Sequence, residues 1–201
     1  MKNQSSIAAV ILAGGKSSRL GQDKALIPLA NQPAITQICQ VAHTIASEVY
    51  VISPWIEKYQ SILPSWIRGI KENSPAGGKP PGPLKGFAQA LTQIKQDWAL
   101  LLACDLFELN NSELKNWQKQ LKLIPDDIVA VLPKHPKGWE PLCGFYRPKC
   151  LYSLQEYITQ GGAAFQPWLR QSSVAELSVK DPKLLFNCNT PEDLEDFRLR
   201  H

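Results

Sequence analysis

A glycine-rich loop with two cations lies near the start of the chain and offers the clearest chemistry in the sequence. The apolar run 7–13 leads directly into Gly14 and Gly15, and Arg19 and Lys24 follow shortly after. Glycines let backbone N–H groups approach a ligand closely, and the two cations are spaced suitably for a triphosphate. The loop therefore predicts a nucleotide site. The alternative is an ordinary tight turn between a strand and a helix, with surface cations.

Two better-known phosphate-binding loops do not fit this segment. The Walker motif requires a glycine at the position where this chain has Val10. The dinucleotide-binding pattern G-x-G-x-x-G fails because Gly14 and Gly15 are adjacent and Ser18 stands where the last glycine is needed. The sequence therefore favours neither an ATPase loop nor a dinucleotide site.

A single carboxylate, Asp105, follows a nearly continuous apolar run over 98–104. Such a run is typical of a central parallel strand that is buried on both faces. Because ligands of open α/β sheets bind beyond the carboxyl ends of strands, we expect Asp105 on the same edge as the glycine loop. Mg²⁺ takes one or two protein oxygens and leaves its other positions to phosphates and water, so Asp105 is the candidate metal ligand. The alternative is a cap of the next turn, although Asn110 and Ser112 lie closer to that helix.

Other chemically capable side chains give weaker signals. Asp23 stands beside Lys24, so we expect it to order the loop by accepting hydrogen bonds from backbone N–H groups. The histidines are not spaced as metal ligands, and no serine or cysteine combines with a histidine into a recognisable catalytic set. Cys104, next to Asp105, is interpreted as a small core residue.

Two amides near the end of the chain, Asn187 and Asn189, stand on alternate residues of a segment predicted to end a strand. Alternate side chains of extended backbone point the same way, so both could hydrogen-bond a polar heterocycle; both are also common turn formers. Thr190 and Asp193 match a capping box and Pro191 matches a first-turn residue. This pattern predicts a helix that begins here.

Segment 73–83 is a long Pro/Gly-rich stretch that joins a predicted strand to a predicted helix. Loops of this length are usually lids, binding loops or mobile insertions. Its end at Gly82 opens a helix whose free N–H groups could face an anion. The alternative is a flexible surface insertion with an ordinary helix start.

These candidate residues need a scaffold, and the hydrophobic pattern predicts an α/β fold with a mostly parallel sheet. Short apolar runs alternate with amphipathic stretches along the chain. The predicted strands span 7–13, 48–53, 67–70, 98–103, 127–132 and 142–146. The predicted helices span 33–46, 55–62, 83–95, 111–123 and 148–159.

Length and composition indicate a globular protein with one domain, 1–201. The net charge of +4 is spread without a lysine- or arginine-rich run, so no nucleic-acid partner is expected. The five cysteines contain no C-x-x-C pair, which favours reduced thiols in the cytoplasm over a disulfide framework or a structural zinc site. The first apolar segment is too short to span a bilayer and ends in the glycine loop, so we expect a cytoplasmic protein without membrane attachment.

Several motifs, in order along 7–198, resemble those of molybdenum cofactor guanylyltransferases. They are the loop 12–24, the Gly-Pro-Leu-x-Gly sequence at 82–86, Cys104-Asp105, and the segment 187–194. The broader nucleotidyltransferase superfamily usually carries alanine at the position of Gly14, so this glycine favours guanine. The resemblance implies a Rossmann-like three-layer α/β/α nucleotidyltransferase fold. It also implies that GTP and the molybdenum cofactor, Mo-molybdopterin, give the guanine dinucleotide cofactor and pyrophosphate with the help of Mg²⁺.

The resemblance implies a role for each candidate residue. GTP binding is implied for Leu12, Ala13, Gly14, Gly15, Lys24, Asn73, Gly82 and Asp105. Catalysis is implied for Arg19, Lys24 and Asp105, and Mg²⁺ binding for Asp105. Pterin binding is implied for Asn187 and Asn189. The N-terminal half would bind the nucleotide and the C-terminal half the acceptor, and molybdopterin-delivery proteins and apo-molybdoenzymes could be partners.

The chain departs from the family pattern at two places. Asn73 stands where relatives often have an acidic residue, with Glu72 adjacent, and 162–164 lacks an arginine pair that some relatives carry, with Arg170 further on. Two other functions stay open. One is nucleotidyl transfer with another base or acceptor, such as CTP or a sugar phosphate, and the other is a cofactor-carrying accessory protein without turnover.

Overall fold

Strands and helices alternate in the computed structural model, which describes residues 5–15, 20–29, 31–73, 82–136 and 138–200. The strands are β1 (Ile7–Leu12), β2 (Pro28–Leu29), β3 (Gln32–Pro33), β4 (Glu48–Ser53), β5 (Ile67–Lys71), β6 (Trp98–Ala103), β7 (Ala130–Leu132), β8 (Lys134–His135), β9 (Gly138–Trp139), β10 (Cys143–Tyr146) and β11 (Val174–Glu176). The helices are α1 (Ala34–His43), α2 (Pro83–Leu91), α3 (Asn111–Gln120), α4 (Leu151–Thr159), α5 (Phe165–Leu169) and α6 (Pro191–Arg200). Across these ranges, no helix has the length and apolar character needed to cross a membrane.

The central sheet has seven strands in the order β11-β7-β10-β6-β1-β4-β5. β1 pairs in parallel with both β4 and β6, and β5 pairs in parallel with β4. β10 runs antiparallel to its neighbours β6 and β7, and β11 is parallel to β7. The predicted α/β fold with a mostly parallel sheet is confirmed. β1 lies at the point where the strand order reverses, which is where ligands bind in such sheets.

Both faces of the sheet are covered by helices. On β1, Ile7, Ala9 and Ile11 face a core that includes side chains of α1 and α3, whereas Ala8 and Val10 face one that includes side chains of α2, α4 and α5. Burying a valine or isoleucine side chain stabilises the fold by about 1.5–3 kcal/mol. A strand that is apolar on both faces is therefore most stable at the centre of the sheet. The implied three-layer α/β/α arrangement is confirmed.

A smaller cluster beside the sheet anchors the C-terminal helix. Leu194 and Phe197 of α6 pack with Ile27 and Phe107, and the rings of Phe107 and Phe197 lie 5.5 Å apart in an edge-to-face arrangement. These contacts hold the segment before α6 against the carboxyl end of β6. The segment that contains Asn189 therefore lies beside Gly14 and Gly15.

The predicted helix over 55–62 is wrong. The segment contains only a single 3₁₀ turn, Ile56–Lys58. Ile56 is buried and packs against Gly69 of β5, and the Tyr59 hydroxyl donates a hydrogen bond to Asp23 Oδ2 at 2.9 Å. These anchors fix the segment in a turn, and a short stretch gains too few helical hydrogen bonds to overcome them.

Candidate active site

A cavity of about 340 Å³, the first cavity, opens beyond the carboxyl ends of β1, β4 and β6. Most of the residues predicted to bind the nucleotide line it, namely Leu12, Ala13, Gly14, Gly15, Lys24, Gly82 and Asp105. Asn189, predicted for the pterin, lines it as well. Arg19, the other predicted phosphate ligand, lies outside the described residues. The cavity therefore gathers residues that are far apart in the sequence at the sheet edge predicted for a ligand.

The end of β1, just before the glycines, is fixed by the neighbouring strand β4. The backbone N–H of Ala13 donates to the Ile52 carbonyl at 3.0 Å, and the buried Ser53 hydroxyl donates to the Ala13 carbonyl at 2.7 Å. Ser53 Oγ in turn accepts from the backbone N–H of Trp55 at 3.0 Å. Because both the N–H and the carbonyl of Ala13 are bonded to β4, the backbone that leads into Gly14 is held in place.

Lys24 joins the nucleotide loop to the rest of the site. Its Nζ lies 2.8 Å from Asp105 Oδ2 and 2.8 Å from Asn189 Oδ1. The Lys24 and Asp105 side chains are only 13% and 15% exposed, so their attraction is screened less by water than that of a surface pair. A cation, a carboxylate and an amide thus converge from three separate parts of the chain.

Asp23 positions Lys24 without entering that contact. Asp23 Oδ1 accepts from the backbone N–H of Ala25 at 3.1 Å and caps the short 3₁₀ turn Lys24–Leu26. Its other oxygen accepts from the Tyr59 hydroxyl. Burial, followed by the nearby Asp23 charge, raises the pKa of Tyr59, so this hydroxyl stays a donor at neutral pH. The prediction that Asp23 orders the loop is confirmed.

Asn189 is held by the cap of α6. Asp193 Oδ2 accepts from the backbone N–H groups of Asn189 and Thr190, each at 2.8 Å, and the Asp193 N–H donates to Thr190 Oγ1 at 3.1 Å. The predicted capping box and helix are therefore confirmed. The predicted strand end before them is wrong: the backbone from 186 to 189 pairs with no strand, because it packs over the site instead of extending the sheet.

A second cavity of about 1060 Å³ lies beside the first and shares Asn189 with it. Asn187 lines this second cavity, and its carbonyl accepts from Asn189 Nδ2 at 3.1 Å. Cationic side chains also line it, namely Lys134, Lys183 and Arg200. The described segment 162–164 and Arg170 are absent from the lining of both cavities, and a role for Arg170 in place of the arginine pair stays a prediction.

Glu72 is the acidic residue that faces the first cavity at the end of β5. Its side chain lines the cavity and is 7% exposed, and burial raises its pKa. Asn73 is exposed, its backbone N–H donates to Gln89 Oε1 at 2.8 Å, and it is absent from the cavity lining. The GTP contact of Asn73 stays a prediction. The sequence singles out Glu72 only as a neighbour of Asn73, because residue order alone does not tell which of two adjacent side chains points inward.

The donor set at Asp105 fits one class of metal. No group of three or more His, Cys, Asp or Glu side chains able to hold a metal ion occurs among the described residues. One carboxylate in a cavity suits a hard cation that completes its coordination with phosphate oxygens and water, which is the usual arrangement for Mg²⁺. The described residues do not form a closed structural zinc site, which requires four protein ligands.

Sequence comparison relates the chain to a known group of proteins. The model of the MobA-like NTP transferase domain matches residues 9–176. A protein from Nostoc sp. named as a probable molybdenum cofactor guanylyltransferase is 48% identical over 94% of this chain and 88% of its own length. A protein of the same name from Synechococcus elongatus is 43% identical over 96% of this chain and 98% of its own length.

Solved structures share the fold. Molybdopterin-guanine dinucleotide biosynthesis protein A from Archaeoglobus fulgidus superimposes with a TM-score of 0.76 at 21% identity, covering 96% of this chain and 100% of that one. A nucleotidyl transferase from Methanothermobacter gives a TM-score of 0.70 at 18% identity, with 97% of each chain covered. At these identities the likeness concerns the architecture.

Proposed function

The chain belongs to the MobA-like NTP transferase family, and on that basis we propose that it transfers GMP from GTP to the phosphate of the molybdenum cofactor. The products are the guanine dinucleotide form of the cofactor and pyrophosphate. The observation that carries this proposal is the convergence of Lys24, Asp105 and Asn189 at the glycine-loop cavity. The curated relatives from Nostoc and Synechococcus support the same reaction, because their names state it.

The chemistry needs few protein groups. An oxygen of the acceptor phosphate attacks the α-phosphorus of GTP, and the bond from that phosphorus to the bridging oxygen breaks, so pyrophosphate leaves with the electron pair. A phosphate nucleophile is already ionised at neutral pH and needs no general base. Catalysis then reduces to aligning the two phosphates and neutralising charge on the α-phosphate and leaving group. Lys24 supplies one positive charge inside the cavity, and Arg19 is the second cation of this proposal.

Asp105 would hold Mg²⁺ in the loaded site. When bound, the metal would supply positive charge to the triphosphate and the leaving pyrophosphate. Lys24 already lies 2.8 Å from Asp105 Oδ2, so the carboxylate stands where cations are stabilised. Binding of the phosphates would give Lys24 new anionic partners and leave Asp105 available to the metal.

The two cavities support separate binding sites for the two substrates within one domain. The first, beside the glycine loop, would take GTP through the backbone of 12–15 and the start of α2 at Gly82. The second would take the pterin, with Asn187 and Asn189 offering amides to its heterocycle. All five cysteines are free thiols, which supports the proposed cytoplasmic location. Delivery proteins and apo-molybdoenzymes remain proposed partners.

The experiment supplies the protein with molybdopterin, Mg²⁺ and each of the four nucleoside triphosphates in turn and follows pyrophosphate release. Release with GTP, dependent on the acceptor, is expected. Release with CTP but not GTP would contradict the choice of base. Nucleotide binding without release with any of the four would instead favour an accessory protein that carries the cofactor.

A further inference from the structure

One wall of the second cavity is a segment with little regular structure, the wall segment 177–187. It joins β11 to α6 and contains only the 3₁₀ turn Pro182–Leu185. Most of its residues, including Asn187, line the cavity. Within the part of the chain that the structure describes, Leu177 is the last residue before α6 whose backbone N–H donates to a strand, with the Leu132 carbonyl at 2.8 Å. Backbone hydrogen bonds to the sheet therefore hold only the start of this wall.

The amide of Gln120, at the end of α3, holds the next part of the wall segment. Its Nε2 donates to the Ser178 carbonyl at 2.9 Å, and its Oε1 accepts from the Ser178 backbone N–H at 3.0 Å. One side chain thus satisfies both backbone groups of a wall residue, as a neighbouring antiparallel strand would. The pair of bonds fixes both the position and the orientation of Ser178.

Glu113 makes a second contact from the same face of α3, two helical turns before Gln120. Its Oε1 accepts from the Lys180 backbone N–H at 3.0 Å and from Trp117 Nε1 at 2.8 Å. Glu113 is only 3% exposed and Trp117 is buried, so displacement of this carboxylate would leave two donors without their acceptor. The helix α3 therefore holds the wall segment at two points, Ser178 and Lys180.

The first cavity is held by other contacts. Gln120 and Glu113, both in the described ranges, line neither cavity, so they act on the wall through its backbone alone. Asn189 is shared by the two cavities, and its backbone N–H is held by Asp193 of α6. Loosening the contacts with α3 should therefore alter the second cavity and leave the nucleotide cavity intact.

We propose that Gln120 and Glu113 are positioning residues for the acceptor, an inference that rests on the proposed use of the second cavity by the molybdenum cofactor. They hold the wall segment in the shape that binds the pterin. A ligand that binds a wall free to move must first order it, and that cost weakens the apparent affinity. Hydrogen bonds from the protein's own helix preorganise the wall, so the acceptor binds without this cost.

The test compares the binding of molybdopterin with that of GTP in variants of Gln120. Gln120→Ala removes both bonds to Ser178, and Gln120→Glu keeps the acceptor oxygen but removes the donor. In both variants the KM and the calorimetric Kd for molybdopterin should rise by at least about 5-fold, as for the loss of one or two hydrogen bonds. The Kd for GTP should change by less than about 2-fold, because the first cavity is held elsewhere. Gln118→Ala, an equal truncation on the same helix, is the matched control and should change neither affinity.

Variants of Glu113 test the second contact. Glu113→Ala should weaken molybdopterin binding, whereas Glu113→Gln keeps an oxygen for the Lys180 N–H and should restore it. Hydrogen exchange of the wall segment, which reports its local opening, should be faster in Gln120→Ala and unchanged in Gln118→Ala. Unchanged affinity for molybdopterin in Gln120→Ala, shown by thermal melting to be folded, would overturn the proposal. So would an equal loss of affinity for both substrates.

The outcomes separate this proposal from the proposed function. Binding of molybdopterin that depends on Gln120, without pyrophosphate release from GTP, would refute the transfer reaction and uphold the positioning role. Failure of the unmodified protein to bind molybdopterin would refute both. Transfer with an unchanged KM for molybdopterin in Gln120→Ala would refute the positioning role alone.

Discussion

At the scale of single residues, Lys24 is the point at which three parts of the chain meet. Its ammonium is shared between the Asp105 carboxylate and the Asn189 amide oxygen, both at 2.8 Å. The first contact belongs to the proposed nucleotide site, whereas Asn189 also lines the second cavity, which is proposed for the acceptor. Lys24 therefore connects the proposed binding sites of the two substrates.

The substitution Asp105→Asn tests the proposed metal ligand. It keeps the shape of the side chain but removes the charge that would hold Mg²⁺, so transfer should fall by at least about 100-fold. Pyrophosphate release at saturating Mg²⁺ measures the effect, with Asp127→Asn at an exposed position as the matched control. A single cooperative thermal transition should persist. Undiminished Mg²⁺-dependent activity would exclude Asp105 as the metal ligand.

Individual site residues differ in how well the sequence predicts them. Asp105 and Lys24 stand out because a strongly apolar strand and a glycine loop define where their side chains emerge. Glu72 gives no comparable signal, since its inward direction depends on the register of β5 with β4 and on the room left by Gly14 and Gly86. Contacts between distant segments decide such positions, and a single sequence does not display them.

At the scale of elements, the cap of α6 controls the position of Asn189. Asp193 accepts from two backbone N–H groups at the helix start, and these bonds, that of Asn189 first, hold the pKa of Asp193 below its ordinary value. A carboxyl group whose pKa is lower in the folded state than in the unfolded state stabilises the fold at pH values above its unfolded-state pKa. That stabilisation is lost as the pH falls through the pKa that the group has in the folded state.

Removal of this capping-box carboxylate, Asp193→Ala, leaves two backbone N–H groups without their acceptor and is expected to destabilise the protein by about 1 kcal/mol at pH 7. For a chain of this size the melting temperature should fall by about 2–4 °C. The difference from the unmodified protein should shrink as the pH drops below the ordinary aspartate pKa of 3.8. Glu195→Ala, on the exposed face of the same helix, is the control. A difference that stays constant down to acid pH would show that the cap is not the cause.

Elements with continuous apolar sequence are predicted well and locally ambiguous ones are not. The predicted strands 48–53 and 98–103 agree with β4 and β6 at both ends, because a run of apolar residues buried on both faces marks the body of each strand. β11 is three residues long and partly exposed, and it exists only by pairing with β7. The antiparallel direction of β10 likewise depends on distant partners.

At the scale of the whole molecule, the sheet edge and the C-terminal helix enclose two adjoining cavities. The order of strands places Asp105 near the middle of this edge and Glu72 toward one end. The return of the chain through α6 adds Asn187 and Asn189 on the other side. In-line transfer requires the attacking phosphate oxygen and the leaving pyrophosphate to lie on opposite sides of the α-phosphorus, and the two adjoining cavities leave room for both substrates at once.

The most direct test of guanylyl transfer follows the α-phosphate of GTP. The protein is incubated with Mg²⁺, molybdopterin and GTP labelled at either the α- or the γ-phosphate, and the products are separated. We predict that the α-label appears in a dinucleotide form of molybdopterin and the γ-label in pyrophosphate, in equal amounts. Release of the α-label only as free GMP, or at the same rate without molybdopterin, would contradict guanylyl transfer.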